Sequence, residues 1–214
     1  SVRRNVPSSE IGMVMQDITA TEVEKRFAEM APMKNAIVSG LVDDTIKAFI
    51  HLVPFTEAHI TPRYVSWLND PDIVRLSEQR HKVHTEDTCR AWLSNYMGHP
   101  HNRIWAIEVD GVHVGNVTAL ADPNNHTCEV SNLIGEKSYW GKGIGTEACR
   151  QAINAMLDEG YRKVWIGTLS VNKGELRIMD KLGMEPDCVI RQHFEVDGMP
   201  VDEIRCAVFR PNRV

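Results

Sequence analysis

The sequence predicts an α+β domain with a mixed, mostly antiparallel central sheet flanked by helices, behind an N-terminal extension. Three observations carry this expectation. Short runs rich in β-formers and bounded by turn residues recur from residue 45 onward. Segments with apolar residues at helical spacing separate them, giving the order β, αα, βββ, α, β, α, ββ. With 214 residues at 43% hydrophobic, there is material for one core and little for a second. The expected partition is therefore an extension with a short helix over residues 1–44 and one domain over 45–214.

Residues 1–18 are polar and aperiodic, and the segment from Thr19 to Met30 reads as a capped helix with Val23, Phe27 and Met30 on one face, ended by Pro32. Because the chain opens on Ser1 and not Met, it is expected to be an excerpt or trimmed form of a longer sequence. The run from Thr45 to Pro54 is the first core strand. Tyr64, Trp67 and Leu68 share a helix face that Asn69-Asp70-Pro71 breaks, and Thr85 caps a second helix carrying Cys89, Trp92, Leu93 and Tyr96. Arg103–Val109 and Val112–Ala121 flank the turn Asp110-Gly111, followed by a strand over Cys128–Ile134. Helical spacing over Gly143–Glu159 stops at Gly160, a strand follows over Lys163–Thr168, and Lys173–Leu182 is a helix closed by Gly183. Val189–Val196 and Val201–Phe209 form a last hairpin around Asp197-Gly198.

A net charge of -5 without a basic stripe argues against nucleic acid, whose backbone is held by clustered Lys and Arg. No apolar run approaches the roughly 20 residues that a membrane helix needs, so a soluble, cytoplasmic protein is expected. The five cysteines are odd in number, scattered and never in a C-x-x-C pair, which indicates neither a disulfide framework nor a zinc site.

The chemistry-bearing signal is the turn Trp140-Gly141-Lys142-Gly143-Ile144-Gly145-Thr146 at the start of a helix. Exposed N–H groups and the positive end of a helix dipole suit a pyrophosphate, and glycine lets the backbone approach it. A helix start that needs small residues for packing is the alternative. The Walker lysine with its Ser or Thr is missing, and no βαβ unit precedes the turn, which sets aside the P-loop and dinucleotide fingerprints.

This turn, together with the later segment from Asn172 to Met184, resembles the GNAT superfamily of N-acetyltransferases over roughly residues 45–210. In that family an Arg/Gln-x-x-Gly-x-Gly/Ala turn grips the coenzyme A pyrophosphate through backbone amides. Trp140 replaces the Arg or Gln, which resembles the branch of ribosomal-protein N-terminal acetyltransferases and amino-sugar acetyltransferases. The resemblance implies acetyl-CoA as acyl donor and no metal, with coenzyme contacts from Lys142, Gly143, Ile144, Gly145, Thr146 and Asn172. It also implies that Leu133, Ile134 and Gly135 pair with the pantetheine arm as an added strand does, and that their amides receive the developing oxyanion. Two positions depart from the pattern: Glu175 stands where Ser or Ala is frequent, and Met179 where many members have a proton-donating Tyr. Methionine has no proton to give.

Acyl transfer requires a neutral amine, hence a base. Glu129, eleven residues before Trp140, stands where some family members place such a glutamate; a strand carboxylate in a salt bridge is the alternative. His126, His193 and Glu195 are further candidates for the base, and Ser131 and Asn132 could orient substrate. For the acceptor, the segment from Pro62 to His81 resembles a Trp-Leu-Asn-Asp-Pro stretch of GNAT enzymes in surface-polysaccharide and nonulosonic-acid pathways, a stretch also found in protein-acetylating relatives. Arg75, Arg80 and His81 would then meet a diphosphate, and Trp67 would stack on a base or sugar. Otherwise Trp67 and Leu68 are core and the arginines solvated. The leading expectation is an N-acyltransferase acting on a nucleotide-linked amino sugar. The second is a protein N-terminal or lysine acetyltransferase, and the third a non-catalytic coenzyme A-binding regulatory module. The expected partner is a small-molecule amine, with neither nucleic acid nor membrane, and a homodimer is left open.

Overall fold

The computed structural model describes residues 49–210. The helix expected over 19–30 and the boundary near residue 44 lie outside the described residues. Seven strands form one sheet in the order β1-β2-β3-β4-β5-β7-β6: β1 (Ile50–Pro54), β2 (Arg103–Val109), β3 (Val112–Asp122), β4 (Thr127–Ile134), β5 (Lys163–Leu169), β6 (Glu185–Val196) and β7 (Met199–Phe209). Every neighbouring pair is antiparallel except β4–β5. The element order read from the sequence is the observed one, with a single-turn helix over Pro71–Val74 added where a break was expected.

Local chemistry explains the elements. The Asp110-Gly111 and Asp197-Gly198 turns have positive φ at both residues, the geometry of two-residue hairpin turns that matches strand twist. Helix α1 (Pro62–Asn69) starts on Pro62 after Thr61, whose hydroxyl accepts from the Tyr64 amide at 3.2 Å. Asp70-Pro71 ends it and opens the single-turn helix α2 (Pro71–Val74). Thr85 caps α3 (Glu86–Met97), accepting from Thr88 N at 3.2 Å. Helix α4 (Ile144–Asp158) follows Gly143, and α5 (Lys173–Lys181) follows Asn172, whose side chain accepts from the Glu175 amide at 3.3 Å.

Both faces of the sheet are covered, because residues of opposite parity along the strands are buried. One core joins Val114, Val117, Cys128, Val130, Val164 and Ile166 to Ile144, Ala148, Ala152 and Met156 of α4. The other joins Ile104 and Ala106 of β2 to Tyr64, Trp67 and Leu68 of α1 and to Cys89 and Leu93 of α3. The two cores meet the sheet from opposite sides, and β4 and β5 lie at its middle.

The Trp67 ring lies against the backbone at Gly135, where an added Cβ would sit 2.0 Å from Trp67 Cδ2. This contact fixes where the chain leaves β4 and turns toward α4. Gly135→Ala is expected to cost about 2 kcal/mol, as overpacking does. Trp67→Ala is expected to cost about 3–5 kcal/mol through its cavity. In a double-mutant cycle read by denaturant unfolding, the alanine at 135 should cost little once Trp67 is removed; additive costs would show that the contact does not position the turn.

Candidate functional site

The parallel ladder between β4 and β5 is three pairs long: Thr127 with Lys163, Cys128 with Val164, and Glu129 with Trp165. Past Glu129 the strands part, while β3 continues to pair with β4 as far as Ile134. A cavity of about 1120 Å³ opens into this gap, with Glu129, Ser131, Asn132, Leu133 and Ile134 on one side and Ile166, Gly167, Thr168 and Leu169 on the other. The turn before α4 and the first turn of α5 close one end, and α1, α3 and the segment between them wall the other.

At the first end, Gly141 and Gly143 have φ of +74° and +82°, a left-handed backbone that L side chains adopt only with strain. Nothing lies within 4 Å of where a Cβ on Gly141 would be. Gly143, Ile144, Gly145 and Thr146 line the cavity, so the first amides of a 15-residue helix face it. Trp140 Nε1 donates to Ile134 O at 2.8 Å, satisfying a carbonyl at the open end of β4. Lys142, expected beside them, stands over the Tyr139 ring at 5.4 Å and is not part of the cavity wall. Asn172 reaches the wall from the cap of α5, with its Nδ2 donating to Thr168 Oγ1 at 3.1 Å.

The strand expected to offer amides is partly committed elsewhere. Gly135 N donates to Val114 O at 3.0 Å, so Gly135 is corrected out of the free donors. Amides alternate between the two edges of a strand, which leaves those of Asn132 and Ile134 on the side of the gap.

Glu129 faces the cavity from β4 with no hydrogen bond or ion pair to its carboxylate among the described residues. Burial pushes its pKa up, Arg205 opposes this and Glu203 adds to it. Glu203, for which the sequence raises no expectation, is 5% exposed on β7 and lines the same chamber. Arg205 Nε donates to its Oε1 at 2.5 Å, and His193 Nε2 lies 3.5 Å from its Oε2. His193 thus stands behind Glu203 and outside the wall, while His126, at positive φ in the β3–β4 turn, is also outside it. Asn116, 7% exposed, contributes an Oδ1 without a hydrogen-bond partner to the chamber, beside Thr118 and Ser131.

The residues expected to meet a diphosphate, and Trp67, expected to stack on a base or sugar, lie outside the cavity wall. Trp67 is 5% exposed and spent on the α1–α3 core. Arg75 pairs with Asp197 at 2.7 Å. Arg80 donates to Ser77 O and to Glu195 O, each at 2.9 Å, and pairs with Glu78. His81 is exposed beside Glu78, and Glu195 supplies only this backbone carbonyl. Arg75 and Arg80 join the α2–α3 segment to the β6–β7 hairpin, and none of Trp67, Arg75, Arg80 or His81 lines the cavity.

Glu175 is a further carboxylate in the cavity wall. Asn132 Nδ2 donates to both its oxygens, at 2.8 and 3.0 Å. Burial pushes its pKa up to about 7 against the pull of that hydrogen bond. Met179, one turn further along α5, is 1% exposed and belongs to the core. Among the described residues no group of His, Cys, Asp and Glu is suited to a metal ion, and no described helix is long and apolar enough to cross a membrane.

The family model described as "Acetyltransferase (GNAT) domain" matches residues 50–185. Among curated proteins, the N-acetylaspartate synthetase of Xenopus tropicalis is 26% identical over 120 residues, 54% of this chain and 44% of that protein. The chain thus spans less than half the length of this relative. Among solved structures, the ribosomal L7/L12 α-N-protein acetyltransferase RimL in complex with coenzyme A superposes at a TM-score of 0.68 and 14% identity, over 77% of this chain and 96% of that one. The microcin C7 self-immunity acetyltransferase MccE, in complex with acetyl-CoA and AMP, superposes at 0.66 and 18% identity, over 78% and 94%. At these identities the likeness to the solved structures is one of fold.

The raised pKa of Glu175 has a consequence for stability. The folded state binds the proton more tightly than the unfolded chain does, so this group's contribution falls as pH rises from about 4.5 to about 7. Glu175→Gln should remove up to ~3 kcal/mol of that decline. Unfolding by urea at pH 5 and pH 7.5 checks this; an identical pH dependence in parent and variant would place the carboxylate in water.

Proposed function

The chain belongs to the GNAT acetyltransferase domain family, and from that premise we propose that it transfers an acetyl group from acetyl-CoA to a primary amine held in the chamber of Glu129 and Glu203. The observation that carries this reading is the gap past Glu129, where an unpaired strand edge runs from the Gly141–Gly145 turn to a half-buried carboxylate. A glycine turn whose added Cβ would point into open space, followed by exposed helix amides, fits the pyrophosphate of an acyl-CoA. The inward amides of Asn132 and Ile134 fit a carbonyl oxygen that gains negative charge. RimL and MccE, which share the fold, carry coenzyme A and acetyl-CoA in their structures.

Glu129 is proposed as the base. It faces the chamber, and burial raises its affinity for the proton that the amine must lose. The chamber is lined by Asn116, Thr118 and Ser131 beside the two carboxylates. Hydroxyl and amide groups next to acidic ones suit a cationic amine on a compact polar scaffold, of which an amino sugar is the class the sequence suggests. With Arg75 and Arg80 engaged by the β6–β7 hairpin, a diphosphate handle has no support. A thiol-release assay with acetyl-CoA and free amino sugars, amino-sugar nucleotides, polyamines and peptides tests the acceptor. Free amino sugars should turn over at least as well as their nucleotide forms, whereas turnover of peptides alone would replace this acceptor class.

Coenzyme A should raise the melting temperature by mass action. Gly143→Val, which forces a branched residue to φ near +82°, should abolish that shift; a folded variant with the parent's shift would remove the turn from the site. Glu129→Gln should lower kcat by roughly 10²-fold with coenzyme affinity unchanged. That deficit should shrink at high pH, where the amine is already neutral. A pH–rate profile matching the parent's would make Glu129 structural.

A further inference from the structure

The transfer needs a proton at both ends, and Glu129 only accepts one. We propose that Glu175 donates the proton to the departing thiol sulfur, the role that Met179 cannot take. This inference rests on the acetyltransferase reading and deepens it.

Glu175 lines the cavity at the parted strand, between the turn before α4 and the chamber of Glu129. Asn132, which donates to both carboxylate oxygens, lies three residues beyond the last β4–β5 pair, so the carboxylate reaches across the gap from α5 to the parted strand. A Cβ on Gly145 would meet Asn132 Oδ1 at 3.4 Å and Ile178 Cδ1 at 3.0 Å, which sets this bridge against the first turn of α4. Asn132 shares the strand parity of Cys128 and Val130, the face covered by α4, whereas Glu129 has the opposite parity. The two carboxylates therefore approach the gap from opposite faces of β4, which suits a base and an acid that act on different atoms, nitrogen and sulfur.

The surroundings keep a proton available. No described cation lies within ion-pair distance of Glu175, and the titratable group beside it, the Cys149 thiol of α4, is itself pushed well up by burial. The Asn132 amide and the Asn172 cap are neutral. A carboxyl group held near 7 by burial is substantially protonated at neutral pH.

The step balances without a further reactant. The amine gives a proton to Glu129 as its nitrogen forms the C–N bond. The C–S bond breaks with its electron pair on sulfur, and the Glu175 carboxyl proton passes to that sulfur to give the free thiol. Glu129 then gives its proton to solvent and Glu175 takes one from solvent, through the cavity that both line.

The alternative is a carboxylate that only pins Asn132, and Glu175→Gln separates the two, because its amide oxygen still accepts from Asn132 but has no acidic proton. With acetyl-CoA and an amine that the parent acetylates, the variant's kcat should fall by roughly 10²-fold while KM for acetyl-CoA stays within about twofold. The alkaline fall of kcat with a midpoint near 7, expected of the parent, should vanish in the variant. Glu175→Asp, a proton donor on a shorter arm, should recover part of the rate. Parent-like kcat with the alkaline limb intact in Glu175→Gln would overturn the proposal and leave the acetyltransferase reading standing. Loss of the coenzyme A-induced rise in melting temperature in that variant would make Glu175 a structural pin and overturn it as well. A parent that releases no thiol with any amine would overturn both readings.

Discussion

Parallel pairing between β4 and β5 stops after Glu129 and Trp165, and the rest of the molecule is organised by the gap that follows. An edge of unpaired backbone inside a sandwich is costly unless something satisfies it. Trp140 meets part of that demand by capping the Ile134 carbonyl, while side-chain bonds from Asn132 to Glu175 and from Asn172 to Thr168 tie α5 to the strands on either side of the gap. The remaining inward donors are what a strand-like ligand arm would use. Covering helices on both faces keep the gap from collapsing into an ordinary ladder, with α4 under one face and the α1–α3 core over the other.

The same gap divides the site electrically. One end offers the positive end of α4 and a turn shaped by left-handed glycines. The opposite chamber holds Glu129 and Glu203, with Arg205 shared between them. The first end thus suits an anionic group and the chamber a cationic one, and burial pushes the pKa of Glu129 up. Arg75, Arg80 and Asp197 spend their charge in tying the α2–α3 segment to the β6–β7 hairpin, which shapes the chamber without entering it.

Element order is legible in the sequence because it rests on local periodicity and on turn chemistry such as Asp110-Gly111 and Asp197-Gly198. The glycine turn is legible for the same reason: its left-handed backbone at Gly141 and Gly143 is one that glycine adopts without strain. The acceptor residues are not, since their roles depend on partners far along the chain. Arg75 meets a residue 122 positions on, Arg80 one 115 positions on, and Trp67 packs on Gly135. A helix face of Tyr64, Trp67 and Leu68 reads equally as core or as stacking surface until the opposing strand is placed. Glu175 reads in the sequence as a mere departure from a family pattern; its environment comes from Asn132, 43 residues away. Glu203 carries one faint signal, an acidic residue in step with buried Val201 on β7.

The central claim is that the opening between β4 and β5 receives an acyl-CoA arm as an added strand, and hydrogen exchange tests it most directly. On addition of coenzyme A, the amides of Asn132 and Ile134 and those of residues 143–146 should become protected, while β1–β2 amides stay as they were. Protection confined to other segments, with Asn132 and Ile134 exchanging as in the free protein, would contradict the account.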